Sequence, residues 1–316
     1  MASSFGKPTD FSAANSALGY LYQVRLALCL SLQRFAQAAS FALYLETLDD
    51  VVFETTGSAI ELLQLKHHSD RAANLTDASP DLWKSLRVWM EGRSNGAIPA
   101  DARLFLITTS DVGAGAAASR LLACERDVPE ASRLLEQTAA TSTSDTNQTA
   151  YTLFRALSAS EKQELLSTVI IAPKAPNITD VGDAIRAEAR LVVRREHLDG
   201  FVERLEGWWF GRALRQLVDG TSPPIFSSEL EGEWHDLREQ FNRDALPVDR
   251  DILEKETEAN AYDNAVFVHQ VRLAGVGTGR ILAAIRDYYR AFAQRSRWIR
   301  EELLLVGELE SRCLSI

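Results

Sequence analysis

Glu46–His68 reads ETLDDVVFETTGSAIELLQLKHH, and this stretch decides the fold. Its first half places the β-branched and aromatic residues Val51, Val52 and Phe53 directly after a run of acids, as in a strand with a polar end. Thr55, Thr56, Gly57 and Ser58 are turn residues, and Ile60–Lys66 supplies a second strand. A hairpin folded symmetrically about Gly57 sets Asp50 across from Gln64, with Lys66 two residues further along the same face. Leu63 and Leu65 then point to the opposite face, into a core. Glu46 shares the parity of Asp50 if the strand runs unbroken between them.

A carboxylate, an amide and an ammonium on one face suit a metal-dependent phosphodiesterase. Mg²⁺ takes oxygen ligands, commonly one or two carboxylates, and keeps several waters. Asp50 is the anchoring carboxylate, Gln64 offers a carbonyl oxygen, and Glu46 is a second carboxylate or a water-positioning base. Lys66 orients or helps deprotonate the attacking water, or offsets charge on the phosphate in the transition state. The plainer account is a hairpin with a solvated polar face.

The Asp…Gln-x-Lys hairpin resembles the variant PD-(D/E)XK nuclease core in which Gln replaces the second acid. More closely, residues 14–125 resemble the double-stranded-DNA endonuclease domain of CD-NTase-associated anti-phage effectors. The matching strings are Gly19-Tyr20-Leu21-Tyr22-Gln23, Glu46 with Asp49-Asp50, Gln64-Leu65-Lys66-His67, and Leu82-Trp83-Lys84-Ser85-Leu86. The resemblance implies Asp50, Gln64 and Lys66 as the catalytic set, with Glu46 and Gln23 supporting them. It also implies Mg²⁺, with Mn²⁺ as a substitute, and hydrolysis that leaves a 5′-phosphate.

A chain of 316 residues is long for one core and comfortable for two domains. A hydrophobic content of 46% and a charged content of 25% belong to an ordinary soluble globular protein. The net charge of −10 argues against indiscriminate polyanion binding, so a nuclease must gather its basic residues locally. Cys29, Cys124 and Cys313 are too scattered for a zinc or disulfide framework. No leader and no membrane-length apolar run is evident, which points to the cytoplasm.

Along the chain, Leu18, Tyr22, Leu26 and Leu30 recur every four residues in a long first helix over Asn15–Ala38, with Gln23 beside that stripe. Phe41–Leu45 is a strand leading to Glu46. Of His67 and His68, one lies near the scissile phosphate and the other at the surface. Pro80 and Asp81 start a helix with Leu82, Leu86 and Trp89 on its apolar stripe. On that helix Lys84 and Arg87, with Lys66, Arg71 and Arg93, form a phosphate-facing rim or else a solvated surface. Asp101–Thr109 is a buried strand, and Gly113–Cys124 a small-residue helix after a tight turn. The resulting αβββαβ order is that of the restriction-endonuclease-like core the resemblance implies.

A Thr-, Ser- and Ala-rich stretch over 128–150 is expected to be a loop. Tyr151–Leu166 is a helix with Ser158 or Ser160 as cap, Val169–Ala172 a short strand, and a further helix opens at Thr179-Asp180. The domains are thus expected at 1–196, a nuclease core over 14–125 with a helical extension over 126–196, and at 197–316, an all-helical docking domain.

In that last part Trp208-Trp209-Phe210 is a packed core or a partner-facing anchor. Arg286, Arg290 and Arg297 fall off the apolar stripe of the final helix, as a solvent face or a surface for nucleic acid or an acidic protein. GWWFGRALRQLV (Gly207–Val218), SSELEGEWHDLREQFNRDALPVD (Ser227–Asp249) and DYYRAFAQRSRWIREELL (Asp287–Leu304) resemble the C-terminal domain of effectors in ABC-three-component conflict systems. Over roughly 197–310 this implies docking onto an ABC-type ATPase and a small middle component, with a last helix continuing beyond Ile316. Taken together, the sequence predicts an α/β nuclease of double-stranded DNA followed by an all-α regulatory domain. It leaves open a homo-oligomer, an RNase using the same site, and a non-catalytic adaptor built on a worn nuclease core.

Overall fold

Strand β2 (Val51–Glu54) pairs antiparallel with β3 (Glu61–Lys66), Val51 opposite Leu63 and Val52 opposite Leu62. That register is centred on position 57, and one step outward it sets Asp50 level with Gln64, as the sequence predicts. The computed structural model describes residues 14–37, 39–56, 58–67, 74–218, 223–241, 251–252, 264–275 and 277–300. Gly57, His68, Arg71, Cys313 and the tail after Arg300 lie outside them, as do the side chains of residues 14–16.

Strand β1 (Ala42–Leu45) runs antiparallel to β2, with Leu45 opposite Val51. Glu46–Asp50 is therefore the turn between two strands, which corrects the expectation of one strand ending in acids. Glu46 sits in the left-handed region at φ 52°, and its N–H donates 3.1 Å to the Asp50 carbonyl, closing the turn. Strand β5 (Arg103–Thr108) lies parallel to β3, β7 (Val169–Ala172) parallel to β5, and β8 (Ile225–Phe226) antiparallel to β1. The sheet order is β7-β5-β3-β2-β1-β8, and a two-residue pair, β4 (Asn74–Leu75) with β6 (Asp111–Val112), stands apart.

Helices cover both faces. Val52, Leu62, Leu104, Leu106, Val169 and Ile171 share one core with α2 (Pro80–Ser94), α3 (Val128–Thr141), α4 (Gln148–Ala156) and α5 (Ala159–Thr168). On the other face, Arg34 of α1 (Ala14–Ala36) lies 3.7 Å above the Phe53 ring and pairs with Glu61. Both faces of β3 are thus buried along Leu62–Leu65, and its charged residues stand at its two ends, Glu61 and Lys66. This revises the expected split into one polar and one apolar face.

Three stretches depart from the sequence reading. Residues 113–124 hold only a short 3-10 turn at Ala117–Arg120, because Gly115 takes φ 85° and breaks any longer helix. Residues 128–150, expected as a loop, contain α3 and the start of α4. Asp127 caps α3 through the Glu130 N–H, and Ala131, Leu135 and Ala139 bury one face at spacings of four. The expected helix over 151–166 is divided by a capping box, Ser158 with Glu161, into α4 and α5.

The chain forms two units, one reaching Leu191 and taking in Val202–Trp234, the other formed by Val192–Phe201 and the chain from His235. The expected boundary at 197 therefore differs from the packing. In the first unit the part of α7 (Leu198–Val218) from Val202 onward lies against α1: Glu206 pairs with Arg25 at 2.6 Å, and the buried Trp209 indole donates 2.8 Å to the Val24 carbonyl. There α6 (Ile178–Ala189) also packs on α1, and α8 (Ser227–Gln240) follows β8 with its residues up to Trp234 in this unit. In the second unit, α9 (Val266–Leu273) and α10 (Thr278–Arg300) enclose Val268, Ile281 and Ile285. Tyr288 stacks on Phe267 at 4.5 Å, and Arg297 forms a two-pronged pair with Asp251 at 2.8 Å. No helix among the described residues is long and apolar enough to cross a membrane.

Candidate active site

The β1–β2 turn and the end of β3 meet at the C-terminal edge of the parallel strands, the usual place for ligands on such sheets. Asp50 Oδ2 accepts the Leu65 N–H at 2.7 Å, which pins its carboxylate beside β3. Lys66 Nζ stands 4.0 Å from that oxygen and donates 2.7 Å to Gln64 Oε1. Asp50, Gln64 and Lys66 are thus brought together as the sequence predicts. Gln64 is 6% exposed, so its amide depends on protein partners.

Asp49, quoted in the matching string but given no role, is the buried acid of the cluster. Its Oδ2 accepts the Trp89 indole N–H at 2.9 Å, and its Oδ1 accepts the Asp50 N–H at 3.0 Å and the Gln64 Nε2 amide. Burial pushes its pKa up to about 6 against these three hydrogen bonds. One signal for this contact was present: a buried Trp indole N–H needs an acceptor, and Trp89 lies on the apolar stripe of α2.

Glu46 is joined to the cluster by position, although the strand is broken. Burial first, then repulsion from Asp50 and Asp49, raises its pKa, while a hydrogen bond from Gln23 and the Lys66 charge oppose the shift. Gln23 on α1 therefore reaches the site. Next to it Tyr22, fully buried, packs its ring 4.7 Å from that of His67. His67 Nε2 lies 2.7 Å from Asn177 Oδ1, which also accepts the Ile178 N–H and caps α6. Asn177, far outside residues 14–125, carried no sequence signal.

Lys84 stays on the exposed side of α2, and Arg87 pairs with Glu91 at 3.9 Å along the same helix. Arg93, expected on the same rim, instead donates to the Ala100 carbonyl and Thr168 Oγ1, tying α2 to the start of β5 and the end of α5.

Three carboxylates, Glu46, Asp49 and Asp50, gather around one ammonium, an excess of negative charge that suits a divalent cation. Among the described residues no three His, Cys, Asp or Glu side chains converge as a metal-binding group. With Asp49 turned into Trp89 and Gln64, the available oxygen donors are Asp50, Glu46 and the Gln64 carbonyl. That set fits the sparse protein ligation typical of Mg²⁺.

Residues 267–312 match the family described as C-terminal domain 7 of the ABC-three component (ABC-3C) systems. The third C-terminal string, Asp287–Leu304, lies inside this match, and the strings at Gly207–Val218 and Ser227–Asp249 lie before it. No curated protein matches the chain. Among solved structures it is similar to the Acinetobacter baumannii Cap4 SAVED/CARF-domain containing receptor with the cyclic trinucleotide 2'3'3'-cAAA, at 16% identity and a TM-score of 0.43, covering 71% of this chain and 46% of that one. The Moraxella osloensis Cap4 SAVED/CARF-domain containing receptor matches at 14% identity and a TM-score of 0.43, over 86% of this chain and 62% of that one. The chain thus spans about half the length of the Acinetobacter receptor.

Proposed function

We propose that the first unit is a restriction-endonuclease-like hydrolase of phosphodiester bonds, acting on double-stranded DNA, in a cytoplasmic effector of bacterial anti-phage defence. The observation carrying this reading is the placement of Asp50 Oδ2, Gln64 Oε1 and Lys66 Nζ at one strand end. Helix, three strands, helix and strand, in the order α1, β1–β3, α2, β5 once the separate two-residue β4 is set aside, support the same fold. DNA as substrate comes from the resemblance of residues 14–125 to endonuclease domains, and RNA is its competitor.

Asp50, Glu46 and the Gln64 carbonyl are the residues that would hold Mg²⁺ or Mn²⁺. Such an ion polarises a phosphoryl oxygen and lowers the pKa of a bound water. Lys66 neutralises charge developing on the phosphate, and its link to Gln64 keeps the ammonium at the strand end. Gln23 orients Glu46, while His67 contacts the phosphate flank; Lys84 and Arg87 supply outer contacts to the polyanion.

The match over 267–312 supports docking of the C-terminal helices on an ABC-type ATPase and the other system components, which regulate cutting. A second reading, a non-catalytic adaptor, is favoured by one observation: both ends of the Gln64 amide are already engaged, by Asp49 and by Lys66.

Cleavage of plasmid and of RNA by the purified chain and by Lys66→Ala, with Mg²⁺, Mn²⁺ or EDTA, tests the proposal. Metal-dependent cutting of DNA lost in Lys66→Ala is the expected result. Absence of cutting both alone and with the ATPase present would leave the adaptor reading, and cutting confined to RNA would reassign the substrate.

A further inference from the structure

We propose that Asp49 is a positioning residue: it holds the Gln64 amide in the one orientation that presents Oε1 to Lys66 and to the metal-binding edge. The inference rests, for its catalytic half, on the hydrolase reading above. An ionised carboxylate only accepts hydrogen bonds and an ammonium only donates them. Gln64 lies between the two, with Nε2 on Asp49 Oδ1 and Oε1 on Lys66 Nζ. Turning the amide over would set NH₂ against the ammonium and oxygen against the carboxylate, at a site 6% exposed and short of compensating water. Asp49 cannot rotate away, because the Trp89 indole holds its other oxygen from α2 and the Asp50 N–H holds the first. Lys66 donates to Gln64 and Gln64 to Asp49, while Trp89 donates to Asp49 from the other side, so the chain of hydrogen bonds between buried helix and strand end converges on the Asp49 carboxylate.

This arrangement accounts for an amide at position 64. Gln64→Glu alone would press two carboxylates together with no donor between them. Asp49→Asn alone sets an NH₂ group either against the Trp89 N–H or against the Gln64 and Asp50 N–H groups. Together the two substitutions restore a donor–acceptor pair, with the amide at 49 donating to the carboxylate at 64 while its oxygen still accepts from Trp89. The Asp50 N–H contact is the one lost. The charge is exchanged across the pair, and the acid moves onto the metal-binding edge.

The test is reciprocal. Metal-dependent plasmid cleavage is measured for the full-length wild type, Asp49→Asn, Gln64→Glu and the double variant, with Mg²⁺ titrated in each. Each single variant should lose roughly 10-fold or more, from one misdirected buried hydrogen bond. The double variant should recover most of the loss and reach half-maximal rate at lower Mg²⁺ than wild type, a shift that repacking alone would not give. A double variant as weak as the poorer single one overturns the proposal. Selective ¹⁵N-glutamine labelling reads the orientation without activity, the Gln64 amide being assigned by its disappearance in Gln64→Glu. Its side-chain N–H groups should exchange slowly in wild type and rapidly in Asp49→Ala; equal exchange in both overturns the positioning role. Should wild type cut nothing with any metal, both alone and with the ATPase present, the hydrolase reading fails, and the amide signal still decides the orientation.

Discussion

Gln216 of α7 clamps the edge of β1: its Oε1 accepts the Leu45 N–H at 3.2 Å, and its Nε2 donates 3.2 Å to the Leu43 carbonyl. The side chain acts as one more strand residue where β8 has ended, one residue before Glu46. Gln216→Ala would leave two buried backbone groups without partners and lower stability by about 2 kcal/mol. Gln216→Glu keeps the acceptor but sets a carboxylate against the Leu43 carbonyl, so it should be worse than alanine. Urea unfolding of the full chain checks the order. Equal midpoints for wild type and both variants would remove the clamp.

Asp50 has two separable duties. Its Oδ2 holds the Leu65 N–H, which asparagine can still do, and its charge faces Lys66, which asparagine cannot. Asp50→Asn should therefore keep the thermal midpoint near wild type and reduce metal-dependent cutting on the order of 100-fold. Asp50→Ala should lose both cutting and stability. Differential scanning fluorimetry beside the cleavage assay separates them. Full cutting by Asp50→Asn would remove this residue from the site.

The pKa of Asp49 is raised by burial from 3.8 to about 6, and for an acid this fixes the sign of the pH dependence. Between these values the folded chain binds more protons than the unfolded one, so the Asp49 contribution to stability falls as pH rises. It is most favourable below pH 4 and levels off above about pH 7. Relative to Asp49→Asn, wild type should therefore lose thermal stability over this window. Thermal midpoints from pH 4 to 7.5 test it, and a constant difference between the two proteins contradicts the assigned shift. The burial that directs Gln64 through the ionised form thus carries a stability penalty at neutral pH.

The hairpin was legible because Thr55–Ser58 are turn residues between two β-rich runs, and the register symmetric about 57 is the one the strands adopt. The Glu46–Asp50 turn was not. ETLDD lacks the Gly, Pro or Asn that usually marks a turn, and Glu46 itself takes the left-handed conformation. Helix α3 was hidden by its Thr and Ser content, although Asp127, Pro129 and Glu130 form a good helix start. Arg93 illustrates the limit of reading charge from sequence: a basic residue assigned to a phosphate rim donates instead to a carbonyl and a hydroxyl. Long-range pairs such as Trp89 with Asp49, or Gln216 with β1, have no local periodicity to announce them.

The Asn177 oxygen fixes the tautomer of His67. Because Oδ1 accepts the Ile178 N–H at 2.6 Å, the amide cannot be turned over, and His67 Nε2 must donate to it. In the neutral ring, Nδ1 is then the acceptor left for substrate or water. Glutamine reproduces a donor near Nε2, and asparagine reproduces a polar group near Nδ1. His67→Gln should therefore keep the tie to α6 and a midpoint near wild type, yet lose roughly 10-fold in cutting through the missing Nδ1 contact. His67→Ala loses the tie and the Tyr22 ring contact as well, and its midpoint should fall by about 2–4 °C. Asn177→Ala removes the α6 cap and frees the ring, so it should lower stability by about 1 kcal/mol and weaken cutting together. Scanning fluorimetry and plasmid cleavage on the three variants decide the matter. If His67→Gln cuts as wild type does while His67→Ala unfolds early, His67 is a brace between β3 and α6, and the phosphate contact belongs to another residue.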